Sequence, residues 1–307
     1  MIIGIVIIII IVIVLEECVE TIYKKSVQYR KNNSDMEKFF HVPKKIEIAN
    51  IGSGPSVYAI SYANINKTGF NFGTAPQSYI YGLRLLKHFK KRIKKDAIII
   101  ITIMSPLSFG TNNAYQKEGY SDRFYGILKP CEIDGYSYKR AFRLRHPFLM
   151  KIWRKVWRTK RIYQNQSVGY SEKNNEIDLP NVVQVWQEQF NLRDLKDETQ
   201  AKLHIKSFNE KIEIVQQIIE LCYNNEWNPV LVIPPIPPST KKYVSDTFLE
   251  SFMYCNVRKI LNRNKDLILL DYYNDERFGQ NLFENDIFMN QDGQKKFSEI
   301  LFSDLHV

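Results

Sequence analysis

The 307-residue sequence has no CxxC pair. Cys18, Cys131, Cys222 and Cys255 are scattered, and histidine is too sparse near them for a zinc cluster. No grouping of His, Asp and Glu has ligand spacing, so no metal is expected. The Gly-containing turn at 52–54 matches neither a phosphate-cradling P-loop nor a dinucleotide fingerprint, and no cofactor is expected. Nucleic-acid motifs and internal repeats are absent, which removes nucleic acid from the expected partners. No small-x-small cleavage site follows the N-terminal apolar run, where the chain reads Leu-Glu-Glu-Cys, so a retained segment is favoured over a removed signal peptide.

With 44% hydrophobic residues the chain can build one large α/β domain or two small ones, which argues against disorder throughout. The net charge of +10 favours an acidic partner: nucleic acid, an anionic membrane or a phosphate-bearing polymer. Residues 1–15 are apolar or Gly throughout and stop at Glu16 and Glu17. As a helix they span about 22 Å, short of a roughly 30 Å hydrocarbon core, and can anchor where the bilayer thins. The alternative is a buried β-strand, because β-branched residues dominate. Lys24, Lys25, Arg30 and Lys31 follow the run, and the positive-inside rule taken literally puts the rest of the chain in the cytoplasm.

Residues 16–43 are polar and read as a stalk or membrane-proximal helix, and the domain is expected over 44–307. Apolar runs at 45–51, 69–72, 97–104, 230–233 and 267–270 predict strands. Helical spacing predicts helices over 77–95, 205–222 and 294–302. Strands alternating with helices imply a three-layer α/β fold, a parallel sheet covered on both faces, with ligand contacts at the strand C-terminal ends. The stretch 105–200 breaks this rhythm and reads as an insertion. Within it, 139–161 carries ten Lys and Arg and no acidic residue, and Phe148, Leu149, Ile152, Trp153, Val156 and Trp157 interleave with the charges. Such a helix can lie on anionic lipid or bind an anionic polymer; equally, it can pack on the domain with its charges solvated.

The loop Asn50-Ile51-Gly52-Ser53-Gly54-Pro55-Ser56 directly follows the first core strand. A serine on a tight strand-to-helix turn can act as a nucleophile, with a following N–H facing an oxyanion, and Ser53 between two glycines fits. It fits a plain helix cap as well. IANIGSGPSVYAI resembles the first block of the SGNH (GDSL-type) hydrolases, FNFGTAPQSYIYGLRLLKHF the second, VLVIPPIPP the late proline-bearing strand end, and FENDIFMNQDGQKKFSEIL the terminal block. The resemblance covers most of the domain in order. It is nearest in flavour to extracytoplasmic members associated with surface-polysaccharide and teichoic-acid synthesis.

The resemblance implies a flavodoxin-like sheet and a membrane-anchored, single-pass protein facing outward. It implies a serine esterase or O-acyltransferase acting on a surface glycan, with Ser53 as nucleophile, Asp286 as a neighbouring carboxylate, and the Gly54 and Gly73 N–H groups holding the oxyanion. The departures are large. Aligned on Gly52, the family nucleophile position is Gly54; aligned on Asn290 and Gly293, the family His is Phe288 and its Asp is Asn285. Phenylalanine accepts no proton. The third block, which carries an oxyanion-hole Asn, reads Met104-Ser105-Pro106-Leu107-Ser108. Of the five histidines, His88 and His204 read as solvated, and His146, in the basic stretch, is the least implausible substitute base. Whether the chain is an enzyme is therefore open, and a catalytically inactive relative that binds a surface glycan or an assembly partner is the alternative.

Overall fold

The computed structural model describes residues 2–26, 29, 36–103, 106–117, 119–156 and 181–307. Met104 and Ser105 of the third block, Arg30 and Lys31, and 157–161 of the basic stretch lie outside the described residues. Two compact units form: residues 1–40 with 121–176, and residues 41–120 with 177–307. Of the stretch 105–200, the described part from Ser121 to Val156 thus groups with the N-terminal segment.

In the first unit, helix α1 runs Ile2–Lys24. The run over 1–15 is therefore helical, not a strand. Its apolar part stops at Glu16, and no helix among the described residues is long and apolar enough to cross a membrane. Two further helices of this unit come from the basic stretch.

The second unit holds a five-stranded sheet, β1 (Ile46–Ile51), β2 (Gly69–Asn71), β3 (Ile93–Thr102), β4 (Asn228–Ile233) and β5 (Ile268–Asp271). The strand order is β2-β1-β3-β4-β5 and every pairing is parallel. Parallel strands need covered faces, which is why β1 and β4 are apolar almost throughout. Between β1 and β2 lies α2 (Gly54–Ala59), and between β2 and β3 lies α3 (Tyr79–Phe89).

Strand β3 begins four residues before the expected Ala97. Lys94, Lys95 and Asp96 form its exposed start, and the pairing with β1 shifts register between Ile46 and Ile48. The backbone at Asp96 has φ 61°, and its N–H donates to Glu226 O at 2.7 Å. The irregularity is thus held from the neighbouring connection.

In the first unit α4 (Tyr138–Arg145) and α5 (Pro147–Val156) follow each other directly. Helix α6 (Asn181–Phe190) precedes α7 (Ile205–Asn224), then α8 (Cys255–Arg263) and α9 (Gln291–Asp304). One face of the sheet, through Ile48, Ile100, Val230 and Val232, packs with Ala59 of α2 and Phe297 and Leu301 of α9. Alternation along a strand turns Ile99, Ile101 and Leu231 to the opposite face, where they are fully buried. Helices α3 and α7 pack together there, burying Leu83, Leu86, Val215 and Ile219. Each such side chain contributes about 1.5–3 kcal/mol by leaving water, and this two-sided burial fixes the loops at the strand ends.

Candidate functional site

The strand order reverses between β1 and β3, so the crevice at their carboxyl ends is the place where this architecture binds ligands. Three loops meet there: 52–54 after β1, 72–78 after β2 and 103–111 after β3.

The first loop turns at Gly52, whose φ of +149° few side-chain-bearing residues adopt. A Cβ there would also lie 2.6 Å from Ser56 Oγ. Gln77 spans the first two loops. It accepts from Gly52 N at 2.8 Å and donates to Phe72 O at 2.8 Å, so one buried amide satisfies two loop backbones. Below it, Asn50 donates to Asn71 Oδ1 at 2.9 Å and accepts from Tyr62 Oη at 2.8 Å. Asn71 Nδ2 donates to Ser56 O at 3.3 Å. These polar residues were not singled out from the sequence, although an asparagine inside an otherwise apolar strand is the kind of signal that reveals such a network.

Ser53 is the half-buried residue before α2, with extended backbone (φ −86°, ψ −161°), and its hydroxyl makes no capping bond. Its carbonyl accepts from Ser56 Oγ at 3.0 Å. Gly73 N donates to Asn71 Oδ1 at 2.9 Å, which occupies the N–H that the family resemblance assigns to an oxyanion. Asp286 accepts from Ser239 Oγ at 2.9 Å through its carboxylate and from Thr240 Oγ1 at 2.5 Å through its carbonyl. It braces the turn that follows β4, and no imidazole is among these partners.

Gly54 and Phe288 come together. A Cβ built on Gly54 lies 2.9 Å from Phe288 Cε1 and 3.2 Å from Cζ. Phe288 is held by its own turn: Asn285 Oδ1 accepts from Ile287 N at 3.0 Å and Phe288 N at 2.9 Å, and Phe288 O accepts from Glu284 N at 2.9 Å. Its ring lies 4.7 Å from that of Tyr58, tilted by 52°, and Tyr58 is 40% exposed. A position without a side chain therefore faces an aromatic ring that fills the space beside it.

The loop after β3 is held from α7. Lys211 donates to Ser108 O at 3.2 Å and to Gly110 O, Ser207 Oγ donates to Phe109 O at 3.0 Å, and Thr111 N donates to His204 Nδ1 at 3.0 Å. His204 is buried against Phe208 and Phe252, which corrects its expected exposure. Burial, and secondarily the Lys211 charge, push its imidazole below the ordinary value. Burial pushes the Lys211 ammonium down to about 7 against the opposing pull of Glu210. His146, the substitute base considered from the sequence, belongs to the other unit, where its Nδ1 lies 2.6 Å from Glu16 Oε1. A concavity of about 580 Å³ opens at the β5 edge, lined by Leu269, Asp271, Tyr272 and Arg277, and shares no residue with the three loops.

No family model matches the chain, and no curated protein matches it. Among solved structures, a Bacteroides fragilis NCTC 9343 protein described as a "putative acylhydrolase" aligns over 92% of this chain and 96% of its own, with 8% identity and a TM-score of 0.41. At that score the likeness adds nothing to the strand order. The chain is an α/β protein with a five-stranded parallel sheet of order 2-1-3-4-5. Such a sheet fits the SGNH-type fold that its sequence motifs resemble.

Proposed function

We propose that this domain is a non-hydrolysing relative of the SGNH-type proteins, one that binds a surface glycan at the β1 and β2 loop crevice without cleaving it. The observation that carries the reading is the Phe288 ring against Gly54. Acyl transfer needs a nucleophile and a base in hydrogen-bond reach of one another, and a glycine facing a phenylalanine supplies neither. Ser53, one residue earlier, would need a base, and of the histidines His204 accepts from Thr111 N while His146 belongs to the other unit.

The Tyr58 and Phe288 rings favour a carbohydrate. Aromatic faces pack against the apolar C–H faces of sugars, and Tyr58 is open to solvent. The outward orientation follows from the family resemblance and belongs to the same reading.

The test uses the full chain treated with a fluorophosphonate probe, beside Ser53→Ala. Neither protein is expected to label. Labelling of the parent that vanishes in Ser53→Ala would sink the non-catalytic reading and restore a serine esterase or O-acyltransferase. In parallel, Tyr58→Ala is expected to weaken retention on purified surface polysaccharide by about 10-fold, the loss of one ring contact worth roughly 1 kcal/mol or slightly more. Unchanged retention would remove the glycan from the proposal.

A further inference from the structure

The unit formed by residues 1–40 and 121–176 carries a feature that the crevice does not use. Along α1, Ile3, Ile5 to Ile8 and Ile10 to Leu15 are all about half or more exposed wherever they are described. Consecutive residues visit every side of a helix, so α1 is apolar all round and uncovered all round. An uncovered apolar surface of this extent marks a partner.

The acidic residues that end this run are all engaged by the basic stretch. Helix α5 starts with Pro147, so its first free N–H donors are those of Phe148 and Leu149. Both donate to the Glu20 carboxylate, at 3.0 and 2.7 Å, and Glu20 is only 1% exposed. A carboxylate at a helix N-terminus satisfies orphan donors and faces the positive end of the helix dipole. Glu17 pairs with Arg145 at 3.0 Å, and Glu16 Oε1 lies 2.6 Å from His146 Nδ1. Tyr23, one turn further, packs its ring 5.5 Å from that of Phe148, tilted by 47°, and lies 5.5 Å under the Lys151 ammonium. The foot of the apolar helix is thus clamped to two helices that have no acidic residue from 139 to 156. Beside the charges, Tyr138 is 80% exposed and Phe142 52%.

We propose that this unit seats the protein on an anionic phospholipid bilayer. The apolar run of α1 enters the hydrocarbon, and α4 and α5, clamped to its foot through Glu20, lie in the headgroup layer. The apolar run is about 21 Å long as a helix, less than the roughly 30 Å core, so the clamp and not the helix length sets the depth. Lipid is favoured over a second copy of the chain because copies joined in parallel along α1 would bring their basic α4 and α5 helices together, and copies joined antiparallel would set each basic foot against the other's apolar tip. The inference is independent of the reading of the β1 loop.

The experiment floats the full chain with vesicles of phosphatidylcholine alone and of phosphatidylcholine mixed with phosphatidylglycerol. Binding is expected to be tighter on the anionic vesicles and to weaken with salt. Replacing Lys139, Arg143 and Lys151 together by Gln is expected to lower affinity for the anionic vesicles by roughly 100-fold, with little change on neutral ones. The same three positions as Lys139→Arg, Arg143→Lys and Lys151→Arg keep the charge and are expected to keep the binding, which separates lost charge from lost folding. Equal binding to both vesicle types overturns the proposal. So does an unaltered triple Gln variant, or a chain that self-associates through α1 and ignores vesicles.

Discussion

Phe288 Cε1 occupies the space into which a side chain at Gly54 would grow, 2.9 Å from a Cβ built there. The constraint runs one way: a side chain at position 54 needs the ring at 288 to shrink or move, whereas a smaller ring at 288 needs nothing from Gly54. Gly54→Ser alone is expected to destabilise the domain by about 1–3 kcal/mol, the usual cost of overpacking, read as a lowered denaturant midpoint. In a Phe288→His background the same change is expected to cost distinctly less, because the smaller ring can withdraw. A double-mutant cycle with no coupling between the two would show that the contact is not what excludes a side chain at 54. Ester turnover by the double variant would further show that only these two residues had been missing.

Gln77 is the second point at which the crevice can be probed. Its amide bonds Gly52 N and Phe72 O in a buried position, so Gln77→Leu removes both of these bonds. Each such loss costs about 1–3 kcal/mol. Gln77→Leu is expected to lower stability by about 2–4 kcal/mol and to loosen the 52–54 and 72–78 loops, seen as faster amide exchange at Gly52. Unchanged exchange at that amide would mean that the loops are held by the Asn50 and Asn71 network instead.

Much of the sheet was legible in the sequence because parallel strands buried on both faces are mostly apolar, as 97–101 and 230–233 are throughout and 46–51 is apart from Glu47 and Asn50. The exposed start of β3 was not, since Ile93 to Lys95 fall within the helix expected over 77–95; that helix ends at Phe89, and only pairing of Ile93 with Ile46 reveals the strand. Gly54 and Phe288 were singled out in the sequence, each by its own motif, but that the ring lies against the glycine is seen only in the structure. The three-dimensional partners of Glu20, His204 and Gln77 were not. Glu20 meets helix donors 128 and 129 residues away, and His204 is buried by Phe252 from a later element. No local pattern encodes such partners.

The Lys211 latch makes stability depend on pH. Its folded-state pKa is lowered by burial to about 7, while in the unfolded chain it takes the ordinary value near 10.4. Between those limits the unfolded chain binds more protons, so stability must rise with pH through this window and be lost as pH falls towards 7. Glu210 pulls the other way and is already included in that value. His204 is also lowered, with the same sign, but its window lies below the ordinary 6.5 and is avoided by working above pH 7. Urea midpoints at pH 7, 7.5 and 8, below the range in which the raised Cys222 thiol acts with the opposite sign, are expected to climb for the parent and to stay flat for Lys211→Met. Parallel slopes for the two proteins would exclude Lys211 as the titrating group.

The start of α9 separates a cap from a close approach. Asn290 Oδ1 accepts from Gly293 N at 2.9 Å, and Asn290 Nδ2 donates to Asn281 O at 2.8 Å, so the residue caps the helix and ties it to the preceding loop. Asn290→Ala is expected to cost about 1–2 kcal/mol, at the upper end for a cap because both bonds go. Gly293 has a different reason to be glycine: a Cβ there would run into the Leu282 carbonyl, which is backbone and cannot swing aside. Gly293→Ala would otherwise gain helix propensity, about 1 kcal/mol in an open helix. Here it is expected to destabilise by more than Asn290→Ala, because the turn carrying Phe288 must shift to admit one methyl group. A thermal midpoint for Gly293→Ala at or above the parent's would show that α9 does not rest against Leu282, and that Phe288 is held over Gly54 by the Asn285 turn alone.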